Sequence, residues 1–392
     1  MGWCTTLDPD RFAAAAGGYL RSRAAENTLL LSAAQDARAG RGGGAGWRAP
    51  VAGQPAATTD PGLLFGWWEP PDGGEPRGAF VHDPAVPLLI SGKAPEIGAA
   101  LAATLAKMGR HVTGVDAPTE VADAFAAAWS QRAGMTVRAH RNCRVYRLTD
   151  APQGTSPSSG PAPGTAGRLR TATADDLALL AGWLIAFATE SNERIGSPSD
   201  LAAQLIGYGG AVFWEVPQKP SRFRDAAHHL PLPYHRDPAP NGDTPCQPVA
   251  FATLTRPVAG TVRIGIVYVP PDRRRGGYAT AMTLAVSRAV LANTGLANTG
   301  LANTGPANTG PATAGGPARL LGAASGHVSE VVMITDKSRS DRWGSRLGYQ
   351  LVGERAVLRF GPVTGPVPRP HQSGAMPRLP TGPLPRLPRL RR

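Results

Sequence analysis

The stretch Val262–Leu284 reads VRIGIVYVPPDRRRGGYATAMTL. Its opening run, rich in β-branched residues and closed by two prolines, predicts a strand over 262–269. A basic, glycine-rich turn follows, and YATAMTL then opens a helix expected over 277–291. A helix start presents unpaired backbone N–H groups and the positive end of the helix dipole. Glycines there let the backbone come close to an anion, and the arginines add charge and donors. Strand, basic glycine turn and helix together describe a cradle for a phosphate or pyrophosphate group.

The chain around this unit alternates strands and helices. Towards the N-terminus, Arg168–Thr171 reads as a strand and Ala174–Thr189 as a helix with Leu177, Leu180, Leu184 and Phe187 on one stripe. Ala211–Val216 and Val249–Thr255 read as strands. Towards the C-terminus, Val328–Thr335 is a strand, Ser338–Leu347 a helix and Tyr349–Phe360 a last strand. Residues 217–247 hold seven prolines and three histidines, which reads as a surface insertion. His228, His229 and His235 lack the partners a metal site needs, so no metal is expected. LANTG recurs at 291–295, 296–300 and 301–305, followed by PANTG and PATAG. A five-residue period closed by Gly or Pro fits neither a helix nor a heptad, so 291–316 is expected to be a loop insertion.

Residues 150–167 are Pro, Gly, Ser and Thr without apolar period and read as a linker. Before them, 1–149 shows helices between Asp8 and Ala37 and strands at Leu63–Trp68, Gly78–Val81 and Pro87–Ile90. A helix at Pro95–Met108 carries Ile97, Leu101, Leu105 and Met108 on one face. A strand at His111–Val115, a helix at Thr119–Trp129 and a strand at Val137–Leu148 complete this part. The order is that of an α/β domain.

The formal charge of +13 is uneven: from Gly361 onward there are six Arg and no Asp or Glu. In a Pro-rich segment without aromatics this favours a disordered, solvated tail at 361–392 over a nucleic-acid or membrane arm. The three cysteines, Cys4, Cys143 and Cys246, form no CxxC pair and fit a reducing compartment. With no apolar run of membrane length, a cytoplasmic protein is expected.

The residues at 274–279, Arg-Arg-Gly-Gly-Tyr-Ala, resemble the Arg/Gln-x-x-Gly-x-Gly/Ala pyrophosphate loop of the GNAT acetyltransferase superfamily. Two further blocks agree. Val331–Tyr349, VVMITDKSRSDRWGSRLGY, is similar to the family's late strand-helix segment at Ser340 and Leu347-Gly348-Tyr349. Arg170–Glu190, with Trp183, is similar to its opening strand and first helix. The resemblance spans 168–360 and implies a GNAT fold, α/β (α+β), with a mixed central sheet flanked by helices. Residues 1–149 resemble a degenerate copy without the loop motif, SGKAPEIGAA standing in its place. The alternative for them is an unrelated α/β domain.

The resemblance implies an acetyl-CoA-dependent N-acetyltransferase in which an amine attacks the thioester directly. Ile266, Val267 and Val269 would line the pantetheine arm. Arg274, Arg275, Gly276, Gly277, Tyr278, Ala279 and Thr280 would hold the pyrophosphate. Glu190 is the candidate base and Tyr268 a candidate border of the acceptor pocket. A helix-end carboxylate is as readily a solvated charge, and strand alternation would equally make Tyr268 a core aromatic. The chain departs from the family at Lys337, Ser338 and Asp341. It also departs at Gly344, where many members carry a Tyr that protonates the leaving thiolate. That departure sets the alternative, a non-catalytic acyl-CoA-binding or regulatory protein. The acceptor, small molecule or peptide, is not named by these residues.

Overall fold

The computed structural model describes residues 2–41, 62–150, 167–191, 193, 195–217, 246–298, 327–340 and 343–362. The linker, nearly all of the 217–247 insertion with its three histidines, the later repeats and the tail from 363 lie outside the described residues.

The first half runs β1 (Gly2–Thr6), α1 (Pro9–Arg21), α2 (Thr28–Arg38), β2 (Leu64–Glu69), β3 (Gly78–His82), β4 (Leu88–Gly92), α3 (Pro95–Lys107), β5 (Gly114–Pro118), α4 (Thr119–Ala133) and β6 (Met135–Leu148). The second half runs β7 (Arg168–Thr171), α5 (Leu177–Ser191), α6 (Pro198–Gly207), β8 (Ala211–Pro217), β9 (Cys246–Leu254), β10 (Thr261–Tyr268), α7 (Tyr278–Asn298), β11 (Glu330–Asp336), α8 (Lys337–Ser340), α9 (Trp343–Arg346) and β12 (Gln350–Pro362).

All the described strands join one sheet in the order β1-β2-β3-β4-β5-β12-β6-β11-β10-β9-β8-β7. Each half contributes four antiparallel strands in sequence and then a fifth that is parallel to the fourth. The last strand of each half crosses over: β12 pairs with β5, β6 pairs with β11, and β6 and β12 pair with each other at the seam. The sheet is therefore completed reciprocally.

The cores follow the same exchange. On one face of the first half, Leu101 and Leu105 of α3 and Val121 and Phe125 of α4 pack with Ala356 and Leu358 of β12. On the matching face of the second half, Met282, Val286 and Val290 of α7 pack with Tyr146 and Leu148 of β6. Each large buried apolar side chain contributes about 1.5–3 kcal/mol, so neither core is complete without the other half's strand. On the opposite face, α1 and α2 cover one half and α5 and α6 the other.

Several elements differ from the sequence reading. β1 was not expected; it forms because Trp3 pairs across from Trp68 and its indole donates to the carbonyl of Ile97. α6 was also missed, although Ser197 caps it by accepting from the Asp200 amide and Pro198 starts it. Met108 leaves the α3 stripe, ends the helix and is exposed. α7 does not stop at Leu291 but continues through the first LANTG unit to Asn298. One glycine inside a helix costs only about 1 kcal/mol against alanine, which a helix anchored by a buried face tolerates. The helix expected at 338–347 is two short turns, α8 and α9.

Candidate active site

The site is built where β10 and β11 part. Their parallel pairing runs from Thr261 opposite Glu330 to Ile264 opposite Met333 and goes no further. On the other edge of β10 the register with β9 shifts between Ile264 and Val267. Gly265 makes this possible: a Cβ there would stand 2.7 Å from Thr253 Oγ1, and that hydroxyl accepts the Ile266 amide over 2.8 Å. The bulge turns the strand, so Ile264 lies with the α7 core while Ile266 and Tyr268 lie with the α5–α6 core.

Beyond the bulge the chain passes through Pro270 and a turn of 3₁₀ helix, Pro271–Arg273, into the arginine-glycine loop. Arg275 takes a left-handed backbone with φ of 66° and Gly277 one with φ of 79°. A left-handed non-glycine residue is uncommon. Such alternation curls successive N–H groups into an anion-binding concavity, which leads into the first turn of α7. Behind it, Ser287 of α7 shares a buried 2.7 Å hydrogen bond with Tyr349 Oη, so the Leu-Gly-Tyr block anchors the helix that carries the cradle. Burial raises the Tyr349 pKa, which keeps the phenol neutral at that contact.

A cleft of about 570 Å³ opens in front of the loop. Every residue expected at the site lines it except Ile266 and Gly276. Gly276 sits on the loop without reaching the cleft wall. Ile266 instead lines a second cavity of about 480 Å³, which shares Phe187, Ser191, Val267 and Ala279 with the cleft. The two spaces meet at the parted strands.

Glu190, Tyr268 and Arg274 form one cluster. Tyr268 Oη donates to Glu190 Oε1 over 2.8 Å, and Arg274 Nη2 pairs with Glu190 Oε2. Arg274 Nε donates to the Val269 carbonyl over 2.9 Å, and its guanidinium lies 5.8 Å from the centre of the Tyr268 ring. The Tyr268 ring packs with Trp183, Phe187 and Phe251 as a core aromatic, while its hydroxyl reaches Glu190. Burial and then the Glu190 carboxylate push its pKa up to about 12, so it is a neutral phenol at physiological pH. Glu190 carries a hydrogen-bonding partner on each oxygen while its side chain stays 38% exposed.

Gly344 is buried in α9, and a Cβ there would come within 2.9 Å of the Tyr146 ring. The exchanged strand β6 therefore fills the space beside Gly344. Trp343, next to it, donates to Thr280 Oγ1 over 3.1 Å and ties this turn to the start of α7.

The second cavity holds residues that the sequence reading did not select: Asp116, Arg141, Glu193, Arg263 and Asp336. They come from both halves, so no local motif announces them. One signal was present, a charged residue inside the apolar run Val262–Tyr268. Among the described residues no group of three or more His, Cys, Asp or Glu could hold a metal ion, and no helix is long and apolar enough to cross a membrane.

The chain is similar to solved acetyltransferases of the GNAT family. A tandem GNAT protein from the clavulanic acid biosynthesis pathway shares 14% identity, with 92% of this chain and 98% of that one covered and a TM-score of 0.45. A GCN5-related N-acetyltransferase from Sphaerobacter thermophilus shares 13%, covering 91% of this chain and 95% of that one, with a TM-score of 0.37. A Drosophila protein of known structure shares 12%, covering 91% and 98%, with a TM-score of 0.47. No protein-family model matches the sequence, and no curated protein matches it.

Proposed function

We propose that this protein is an acetyl-CoA-dependent N-acetyltransferase built from two GNAT-like domains in tandem, with the chemistry in the second. The observation that carries the reading is the parting of β10 and β11 directly above the Arg275–Gly277 cradle. It offers an extended slot, an anion site at one end and a separate cavity at the other. The cradle suits a pyrophosphate by the chemistry of its donors: unpaired amides at a helix start, glycine at the closest approach and arginines around them.

Acetyl-CoA would supply an acetyl group activated as a thioester. Arg274, Arg275 and the amides from Gly277 to Thr280 would bind its pyrophosphate. Val267 and Val269 would flank the arm. The amine would approach from the second cavity, and direct attack would need its ammonium to lose a proton. Glu190 is proposed to take that proton by way of the Tyr268 hydroxyl, which donates its own hydrogen to Glu190 while accepting one from the amine. Anion binding at the cradle draws Arg274 away from Glu190 and frees the carboxylate for this role.

Free thiol release in a screen of primary amines with acetyl-CoA tests the reading, and calorimetry with acetyl-CoA tests the cradle alone. One observation favours the second reading, an acyl-CoA-binding protein without turnover: at Gly344 there is no hydroxyl, and Tyr146 occupies the adjoining space. Tight acetyl-CoA binding with no thiol release from any amine would select it.

A further inference from the structure

The second cavity lies over the seam of the sheet. Asp116 of β5 and Arg141 of β6 come from the first half, and Arg263 of β10, Asp336 of β11 and Glu193 from the second. The protein itself answers each of these charges. Asp116 accepts from Arg355 Nε over 2.8 Å, and Arg141 pairs with Glu193. Asp336 accepts the amide and the hydroxyl of Ser338. The guanidinium of Arg263 acts electrostatically on Asp36 of α2. A guest with a charge on its body would therefore give up water for groups already engaged elsewhere, which is costly.

What remains for a guest is apolar wall. Leu29 of α2, Ile264 and Ile266 of β10, Met333 and Ile334 of β11 and Val357 of β12 line the cavity. Leu29 reaches it from the first half, so that half shapes the cavity although it carries no loop motif. The junction with the cofactor cleft is different. Ser191 lines both spaces there, and its hydroxyl donates to the Phe187 carbonyl over 2.7 Å. With its hydrogen spent, the Ser191 oxygen can still accept from an amine. Glu190, the neighbouring residue, lines the cleft side of the same junction. The space is thus apolar along its wall and hydrogen-bonding at its mouth, as small-molecule sites commonly are.

We infer that this cavity is the acceptor site and that it takes a primary amine on an apolar, uncharged body, aromatic or alkyl. The body lies against Leu29, Ile334 and Val357, and the amino group points to the junction at Ser191. At about 480 Å³ the space falls within the range of small-molecule sites, roughly 300–1,000 Å³. This rests on the acetyltransferase reading and adds the substrate class.

The test uses two matched pairs of amines with acetyl-CoA and thiol detection. 2-Phenylethylamine is compared with L-phenylalanine, which adds a carboxylate, and hexylamine with 1,5-diaminopentane, which adds a second ammonium. The apolar member of at least one pair should exceed its charged partner by about tenfold or more in kcat/KM, the low end of what an apolar pocket discriminates. Ile334→Asp, which puts a charge into the wall away from the cofactor cleft, should remove that preference and leave acetyl-CoA affinity unchanged by calorimetry. If Ile334→Asp does not fold, Ile334→Thr, which keeps the β-branched shape in the strand, should reduce the preference in smaller measure. Charged partners used as well as the apolar amines, or a preference that survives the substitution, overturns the inference. Should no amine turn over, the apolar amines are titrated into protein saturated with CoA, and the absence of binding overturns it as well. The acetyl-CoA titration separates the failures: cofactor binding without apolar preference defeats only the acceptor class, whereas no cofactor binding defeats the acetyltransferase reading too.

Discussion

Arg355 Nε donates to Asp116 Oδ1 over 2.8 Å, and the same guanidinium donates to the Asp116 carbonyl, joining β12 to β5. The side chains are 4% and 2% exposed. Two residues far apart in the chain thus close the seam between its halves with a buried charge pair.

Removing one member of such a pair strands the other charge, at a cost of about 3–5 kcal/mol. Asp116→Ala should therefore lower unfolding stability by about that amount in urea titrations. The double variant Asp116→Leu with Arg355→Met should recover most of it, because an apolar pair leaves no charge to solvate.

Each half depends on the other's strand for its core. Fragments 1–150 and 167–362 made separately should each lack cooperative unfolding by circular dichroism, and a cooperative transition should return on mixing. Independent folding of either fragment would show that the exchanged strand is dispensable.

Gly277 sits at φ of 79°, where a β-branched residue is strained, and at the point of closest approach to an anion. Gly277→Val should weaken acetyl-CoA binding by about tenfold or more in calorimetry, on a protein that still folds.

The strand, glycine loop and helix of the cradle were legible in sequence because they are local: an apolar run, two prolines and two glycines follow one another within Val262–Leu284. The reciprocal sheet was not. β6 and β12 read correctly as strands, yet nothing in Met135–Leu148 states that its neighbours will be residues 330–336 and 350–362, since pairing partners are chosen by the whole sheet. The Glu190–Tyr268 contact was half legible. Each residue was selected, while the hydrogen bond between them, and Arg274 closing over Glu190, depended on how α5 crosses β10.

Glu190→Gln should lower turnover by about a hundredfold near neutral pH, the low end of a general base's contribution. The deficit should shrink as pH rises and the acceptor loses its proton unaided. A pH–rate profile of identical shape and height in wild type and variant would show that the base lies elsewhere. Tyr268 has its own signature. Its pKa is raised from 10.0 to about 12, so the unfolded chain releases that proton first, and its contribution to stability falls as pH rises through this interval. Tyr268→Phe should flatten that part of the stability curve.

Restoring a hydroxyl at position 344 should not restore an acid. With Tyr146 against Gly344, Gly344→Tyr overfills the site and should cost about 1–3 kcal/mol in stability without raising turnover. Combining it with Tyr146→Ala should relieve the crowding, which thermal melts of the single and double variants will report.

The reciprocal strands also set an order of events in synthesis. The first half leaves the ribosome early but cannot finish its sheet, because the strand that lies against β5 is translated only once Pro362 has been reached. Until then an unpaired edge of β5 and the apolar flanks of α3 and α4 are open to other chains. The nascent protein is exposed to mispairing for most of its translation, and a chaperone that shields that edge would raise the yield of native molecules without altering the stability of the finished one.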